Sequence, residues 1–100
     1  MTKANKATVL DQAKALVYGD RQKAYGSPSE SFQTVADMWN AYIRQRAYHQ
    51  GLEYEIDLEP VDVVHLMTLL KVARLAKDPR HRDSIVDVAG YAAVAELING

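Results

Sequence analysis

The sequence predicts an all-α fold: a four-helix single domain that assembles as an oligomeric helical bundle. Apolar residues recur with the helical period along four segments, and proline or glycine separates the segments. The length of 100 residues, with 48% hydrophobic and 25% charged residues, suits one compact domain. Residues 1–6 are expected to form a flexible N-terminus, and residues 7–100 the single helical domain.

The first helix is predicted from about Thr8 to Tyr18. Its apolar positions follow the spacing that places them on one face of a helix. Gly19-Asp20 is expected to end this helix, because glycine readily adopts the left-handed conformation with which many helices close.

The second helix has the clearest start in the chain. Ser27-Pro28-Ser29-Glu30 offers an N-cap serine, a proline at the first helical position and a glutamate three residues after the cap, which predicts a capping box. Phe32 and Trp39 lie on its apolar face and are expected in the core, and Gly51 is expected to close the helix. The acidic segment 52–59 that follows is predicted to be a loop.

Two more helices follow the loop. The third opens at Pro60 and is predicted to run to about Ala76. Its apolar residues surround the axis almost completely, which is typical of a central, buried helix. After a break at Asp78-Pro79, the fourth helix is predicted from about Asp83 to Ile98, and its small residues favour close contact between helices.

Composition excludes several classes of protein. Without cysteine, the chain has no disulfide, thiolate zinc site or iron–sulfur cluster. A net charge of −1 argues against a binder of bulk nucleic acid, and no apolar stretch approaches the roughly 18 residues of a membrane span. We therefore expect a cytoplasmic protein without membrane contact. A helical domain of this size is expected to gain stability as a homo-oligomer, a dimer or a tetramer.

The loop between the first two helices combines the features of an anion site. Arg21 and Lys23 supply positive charge, and Tyr25 can stack on a base. Ser27 lies at a helix start, where free N–H groups and the helix dipole attract anions. A solvated connector with a buried Tyr25 explains the same residues, so both interpretations stay open.

Charged residues also lie within the third and fourth helices. Lys71 and Arg74 are set among apolar residues, and a charge buried there needs a partner. Asp83 and Asp87 share one face of the fourth helix at a spacing of four. The aspartates either pair with the two cations or hold Mg²⁺ through their oxygens. The cations, in the functional alternative, bind phosphate.

Five runs of sequence resemble the motifs of a small, uncharacterised family of tailed phages and prophages. The matching runs are GDR…YG-P at 19–28, F…W at Phe32 and Trp39, P-x-D-V at 60–63, LLK-x-AR at 69–74 and DS-x-x-D-x-AGYA at 83–92. The resemblance covers roughly residues 9–95. The ending of the chain also resembles phage nucleotide-modification-associated domains. The all-helical layout is similar, more distantly, to that of MazG-like nucleotide pyrophosphohydrolases.

The resemblance implies a phage-derived protein that binds a phosphate-bearing nucleotide in the cytoplasm of the infected bacterial host. Small phage proteins that sequester nucleotide immune signals of the host offer a precedent for binding without turnover. No cofactor is expected for such a protein, and no catalytic residue is predicted. The predicted ligand-binding residues are Arg21, Lys23, Tyr25, Ser27, Lys71, Arg74, Asp83, Asp87 and Tyr91.

Two alternatives remain. The first is a MazG-like, Mg²⁺-dependent nucleoside triphosphate pyrophosphohydrolase, in which Asp83 and Asp87 bind the metal and Glu30 or Asp62 completes the site. The sequence lacks the ExxE pair of those enzymes, and binding without turnover is therefore the leading prediction. The second is a non-catalytic protein-interaction module, in which the polar residues of the third helix are internal ion pairs.

Overall fold

The structure is a computed structural model that describes residues 7–21 and 26–99, except for the side chains of Asp20, Arg21 and Asn99. Its elements are α1 (Val9–Ala15), a π-helix (Leu16–Arg21), α2 (Pro28–His49), α3 (Pro60–Lys77) and α4 (Arg82–Asn99). No strand occurs within these ranges, so the prediction of an all-α domain of four helices is confirmed. The N-terminus predicted to be flexible, residues 1–6, lies outside the described ranges.

α1 begins with a reciprocal cap and runs on into the π-helix. Thr8 Oγ1 accepts a hydrogen bond from Asp11 N at 3.1 Å, and Asp11 Oδ2 accepts one from Thr8 N at 3.1 Å. The backbone and side-chain hydrogen bonds of Thr8 hold the pKa of Asp11 below its ordinary value. The predicted end at Gly19-Asp20 is wrong, because the π-helix continues to Arg21 and Gly19 does not take the positive φ that closes a helix.

The start of α2 confirms the predicted proline and corrects the predicted capping box. Pro28 occupies the first turn, but the side chain of Ser27 makes no capping hydrogen bond. Ser31 Oγ instead donates to the carbonyl of Ser27 at 3.2 Å. Ser27 and Glu30 are both exposed, so water can satisfy the free N–H groups of the first turn. At the other end, Gly51 adopts a φ of +69° and closes α2 as predicted.

The acidic segment after α2 is a loop, as predicted, and α2 holds its end in place. Asn40 is 6% exposed and makes two hydrogen bonds with the backbone of Leu58. Its Nδ2 donates to the carbonyl of Leu58 at 2.9 Å, and its Oδ1 accepts from Leu58 N at 2.8 Å. Arg44 and Asp57 form an exposed ion pair nearby. The loop therefore ends at a defined place, directly before α3 begins.

α3 and α4 form an antiparallel pair across a short turn at the predicted Asp78-Pro79 break. At the start of α3, Asp62 Oδ2 accepts a hydrogen bond from Glu59 N at 2.8 Å. At the start of α4, His81 Nδ1 lies 2.8 Å from Ser84 Oγ and accepts from Ser84 N at 3.3 Å. His81 thus acts as the N-cap of α4, a role more often filled by serine, threonine, aspartate or asparagine.

The core is small and lies where α4 meets the other helices. The cluster of buried side chains comprises Val17, Phe32, Ala36, Val63, Val64 and Val94. Phe32 is buried and Trp39 packs against the cluster, as predicted for both. α4 contacts α1, the π-helix, α2 and α3, so α4 is the central helix of the described chain. Gly90 lies at this contact, where a β-carbon would meet Val17 Cγ2 at 3.4 Å, an ordinary van der Waals distance.

The prediction that α3 is buried all round is wrong for a single copy of the chain. α2 and α4 cover one side of α3, where Val63 and Val64 are almost fully buried. The other side is open: Leu66, Leu69 and Leu70 are 41%, 62% and 54% exposed. An all-apolar helix needs neighbours on every side, and α2 and α4 provide them on only one.

Candidate functional site

A cleft between α1 and α4 brings several of the predicted residues together. The α1–α4 cleft has a volume of about 480 Å³ and is lined by Gln12, Ala15, Leu16, Asp83, Val86 and Asp87. A smaller crevice of about 50 Å³ adjoins it, shares Leu16 and Asp87, and is lined further by Gly90 and Tyr91. Asp83, Asp87 and Tyr91 stand four residues apart in sequence, so one face of α4 presents all three.

Lys71 reaches this face from α3 and forms an ion pair with Asp87. Lys71 Nζ lies 3.0 Å from Asp87 Oδ2, and the two side chains are 23% and 26% exposed. One of the two ion pairs predicted between these helices is therefore present. Arg74 is exposed, and no ion pair joins it to either aspartate among the residues that the structure describes. Because α3 and α4 are antiparallel, Asp87 holds the lysine ammonium near the wall of the cleft.

Arg82 bonds to Gln12, one of the residues that line the cleft, and the sequence patterns did not predict this contact. Its Nε donates to Gln12 Oε1 at 3.0 Å, and its Nη2 donates to the carbonyl of Ala7 at 3.1 Å. These two bonds tie the start of α1 to the start of α4. The signal was present in the sequence, since Arg82 directly precedes Asp83 in a basic turn. Sequence spacing alone does not show that α1 packs there.

The lining of the cleft carries two carboxylates, and two cations bond to lining residues without lining the cleft themselves. Asp83 is exposed and Asp87 is half-buried, so their carboxylates can accept hydrogen bonds from hydroxyl or amino groups. Arg82 bonds to Gln12 through its Nε. Lys71 keeps donors beyond the one that faces Asp87, because an ammonium carries three. The carboxylates suit a ligand with hydroxyl or amino donors, and negative charge on such a ligand would have to meet Lys71 or Arg82, which bond to lining residues.

Other predicted site residues lie elsewhere or outside the described part. Lys23 and Tyr25 fall in residues 22–25, outside the described ranges, and the side chain of Arg21 is also outside them. The backbone of Arg21 ends the π-helix whose first residue, Leu16, lines the α1–α4 cleft. Ser27 is exposed at the start of α2. The predicted anion site in this loop therefore stays a prediction.

The acidic side chains that the structure describes do not form a magnesium site of the MazG type. Among the described residues, no group of three or more histidine, aspartate or glutamate side chains is placed to hold a metal ion. Asp62, proposed as a completing ligand, instead accepts the hydrogen bond of Glu59 N. Asp62 also lies nine residues before Lys71, which is about 13 Å along α3 at 1.5 Å per residue.

A second cleft, of about 440 Å³, lies between α2 and the acidic loop. Its lining residues are Gln33, Asp37, Asn40, Arg44, Asp57 and Leu58. Most of their polar groups already bond to one another: Gln33 donates to Asp37 at 2.9 Å, and Asn40 is held by Leu58. We interpret this second cleft as the structural anchor of the loop.

Across the described residues, no helix is long and apolar enough to span a membrane.

Comparison with known proteins identifies relatives in phages. The Gene 55 protein of Mycobacterium phage D29 is 36% identical over 91 residues, which is 91% of this chain and 53% of that protein. The Gene 55 protein of Mycobacterium phage L5 is 37% identical over 89 residues, 89% of this chain and 51% of that protein. The chain thus spans about half the length of these curated relatives. No solved structure matches it.

The match to a family model covers almost the whole chain. Residues 8–99 match the model described as "Domain of unknown function (DUF6378)". The matched region contains every helix of the structure and every residue that lines the α1–α4 cleft. With the two mycobacteriophage relatives, this match confirms the predicted kinship with a phage family. The chain belongs to the DUF6378 family.

Proposed function

We propose that this protein binds a phosphate-bearing nucleotide in the α1–α4 cleft and releases it chemically unchanged. The observation that carries the proposal is the Lys71–Asp87 ion pair of 3.0 Å on the face of α4 that lines the cleft. The cleft volume of about 480 Å³ lies within the range of roughly 300–1,000 Å³ that is usual for small-molecule sites. The pair places a cation beside carboxylate acceptors, which suits a phosphate joined to a sugar.

The charged groups in and around the cleft have distinct roles in the proposal. Asp87 orients Lys71, whose remaining donors face phosphate together with the guanidinium of Arg82. Arg74, one turn after Lys71, adds positive charge from the exposed side of α3. Asp83 accepts hydrogen bonds from sugar hydroxyl groups, as acidic residues do in dinucleotide sites. Tyr91 borders the adjoining crevice and packs against the base.

Binding without turnover agrees with the side chains present. Two-metal phosphate chemistry needs several carboxylates around the ions, and no group of three ligands exists in the described ranges. In the cytoplasm of an infected host, such a protein would lower the free concentration of a nucleotide signal. The pyrophosphohydrolase and the protein-interaction module remain as the outcomes that would replace this proposal.

A thermal-shift screen tests the proposal. The purified protein is heated with AMP, ATP, ADP-ribose or cyclic di-AMP, with and without Mg²⁺, and each nucleotide is recovered for mass spectrometry. A nucleotide at 100 times its dissociation constant stabilises the folded protein by about 2.7 kcal/mol, which raises Tm by several degrees in a domain of this size. We expect such a shift for at least one nucleotide, recovered intact.

Matched variants then test whether the nucleotide binds beside Lys71. Lys71→Met removes the cation of the ion pair, and we expect at least a tenfold weaker affinity, whereas Lys71→Arg retains most of it. Lys14→Met removes the same charge from the exposed side of α1 and should leave the affinity within about twofold. A Mg²⁺-dependent loss of pyrophosphate would establish the enzyme instead. No shift with any nucleotide would contradict the proposal.

A further inference from the structure

α3 carries an exposed apolar stripe on the side away from the core. The stripe consists of Leu66, Leu69, Leu70 and Ala73, and its three leucines are 41%, 62% and 54% exposed. At 100° per residue, these four positions fall within an arc of about 100°, the width of a helix face that packs on a partner. Single exposed leucines are ordinary on a surface, but a row of them along one helix marks an interaction surface.

We propose that this stripe is a self-association surface, on which a second copy of the chain packs its own α3 in the antiparallel direction. The stripe is symmetric about its midpoint, which relates position 66 to 73 and position 69 to 70. A two-fold axis through that midpoint places Leu69 and Leu70 of the two copies together. Leu66 of each copy then packs on Ala73 of the other. In such a two-fold dimer, both subunits use the same surface patch.

Charges at the two ends of the stripe favour the same arrangement. Asp62 lies in the first turn of α3 and Lys77 in its last turn, and both fall within the arc of the stripe. They are symmetric about the same midpoint, so the antiparallel arrangement sets each Asp62 beside the Lys77 of the other copy. A parallel arrangement would set like charges beside each other at both ends, which is unfavourable.

The small core is a second reason for a partner of this kind. The buried apolar side chains of the described chain are mostly alanine and valine, with Phe32 as the one large ring among them. A radius of gyration of 16.4 Å also exceeds the roughly 13 Å of a compact chain of this length. Burying the leucine stripe against an identical stripe would enlarge the apolar core of both copies.

The stripe and the α1–α4 cleft are separate. Lys71 points from α3 towards α4, about 150° around the helix from the middle of the stripe. Loss of self-association and loss of nucleotide binding can therefore be measured independently. A substitution within the stripe leaves the residues that line the cleft in place.

Sedimentation velocity tests the surface. At about 50 µM, we expect the wild-type chain of 11.2 kDa to sediment as a species of about twice that mass. Leu69→Glu should raise the dimer dissociation constant at least a hundredfold and yield the monomer. Leu52→Glu is the matched control, because Leu52 is 60% exposed in the loop and lies off the stripe. A wild-type monomer, or a Leu69→Glu variant as large as the wild type, would overturn the proposal.

Disulfide trapping tests the direction of packing and does not depend on a stable monomer. The chain has no cysteine, so single substitutions introduce unique thiols. Leu66→Cys and Ala73→Cys chains should cross-link when mixed and oxidised, because the antiparallel arrangement brings these positions together. Leu66→Cys alone should cross-link far less, since its two copies lie about 10 Å apart along the helices, beyond the reach of a disulfide. Equal cross-linking of Leu66→Cys with itself would overturn the antiparallel arrangement.

Discussion

At the scale of single residues, the polar side chains with defined partners explain where the elements begin and meet. The Lys71–Asp87 pair could be predicted, because a lysine inside an apolar helix needs a carboxylate and Asp87 was available on the next helix. The capping role of His81 could not be predicted, because histidine is an uncommon N-cap. The role depends on the contact of His81 with Ser84, which is buried in the fold. The predicted Ser27–Glu30 box failed because solvent can replace it at an exposed helix start.

Replacing His81 tests its role as the N-cap of α4. His81→Ala removes the acceptor of Ser84 N and should lower the free energy of unfolding by about 1 kcal/mol. His81→Asn keeps a capping acceptor and should restore most of this loss. Urea denaturation of the three proteins at pH 7 gives the comparison. Equal stability of the alanine and wild-type proteins would show that the hydrogen bond contributes nothing.

A double-mutant cycle tests the Lys71–Asp87 pair. Lys71→Met or Asp87→Leu alone leaves a largely buried charge without its partner and should cost about 1–3 kcal/mol of unfolding free energy. The double variant should be more stable than the sum of the two losses predicts, with a coupling of about 1 kcal/mol or more. Additive losses in thermal or urea unfolding would mean that the two side chains do not interact in solution.

At the scale of elements, the helices follow the periodicity of the sequence, and the deviations arise where distant segments meet. The proline starts of α2 and α3 and the glycine end of α2 are local signals, and the structure confirms them. The π-helix after α1 could not be predicted from local sequence. Gly19 is typical of a helix end but lies within the π-helix. The loop before α3 was predicted, but its anchor on Asn40 is a contact over 18 residues.

Removing that anchor tests how the loop is held. Asn40→Leu leaves the N–H and carbonyl of Leu58 without their partner and should cost about 1–3 kcal/mol of unfolding free energy. Gln33→Leu removes an exposed hydrogen bond in the same cleft and should change stability by no more than about 0.5 kcal/mol. Urea denaturation measures both variants. A loss for Asn40→Leu no larger than that for Gln33→Leu would contradict the anchoring role.

At the scale of the whole molecule, the described chain is elongated, with extents of 62 × 31 × 20 Å. Sequence patterning predicted the all-α class and a central third helix, and only the second of these is wrong for one copy. The error has a physical basis: an apolar side chain contributes to the periodicity of α3 whether or not a neighbouring helix covers it, and α2 and α4 cover only one side. Periodicity alone therefore did not predict which side of α3 the other helices of one copy would cover.

The melting temperature should depend on protein concentration if folding and self-association are linked. If dimerisation stabilises the folded chain, Tm should rise by several degrees between about 2 and 200 µM protein, because mass action favours the folded dimer. Leu69→Glu should remove most of that dependence on concentration, and Leu52→Glu should retain it. Differential scanning calorimetry measures all three proteins. A wild-type Tm that does not change with concentration would contradict the link.

Hydrogen-exchange mass spectrometry tests whether a nucleotide occupies the α1–α4 cleft. The wild-type protein is exchanged with and without each nucleotide of the screen at about 1 mM. We predict slower exchange in residues 7–21 and 82–94, the two segments that form the cleft and its crevice. Exchange in residues 33–58 should not change. Protection confined to 33–58, or no protection by any nucleotide, would contradict binding in the cleft.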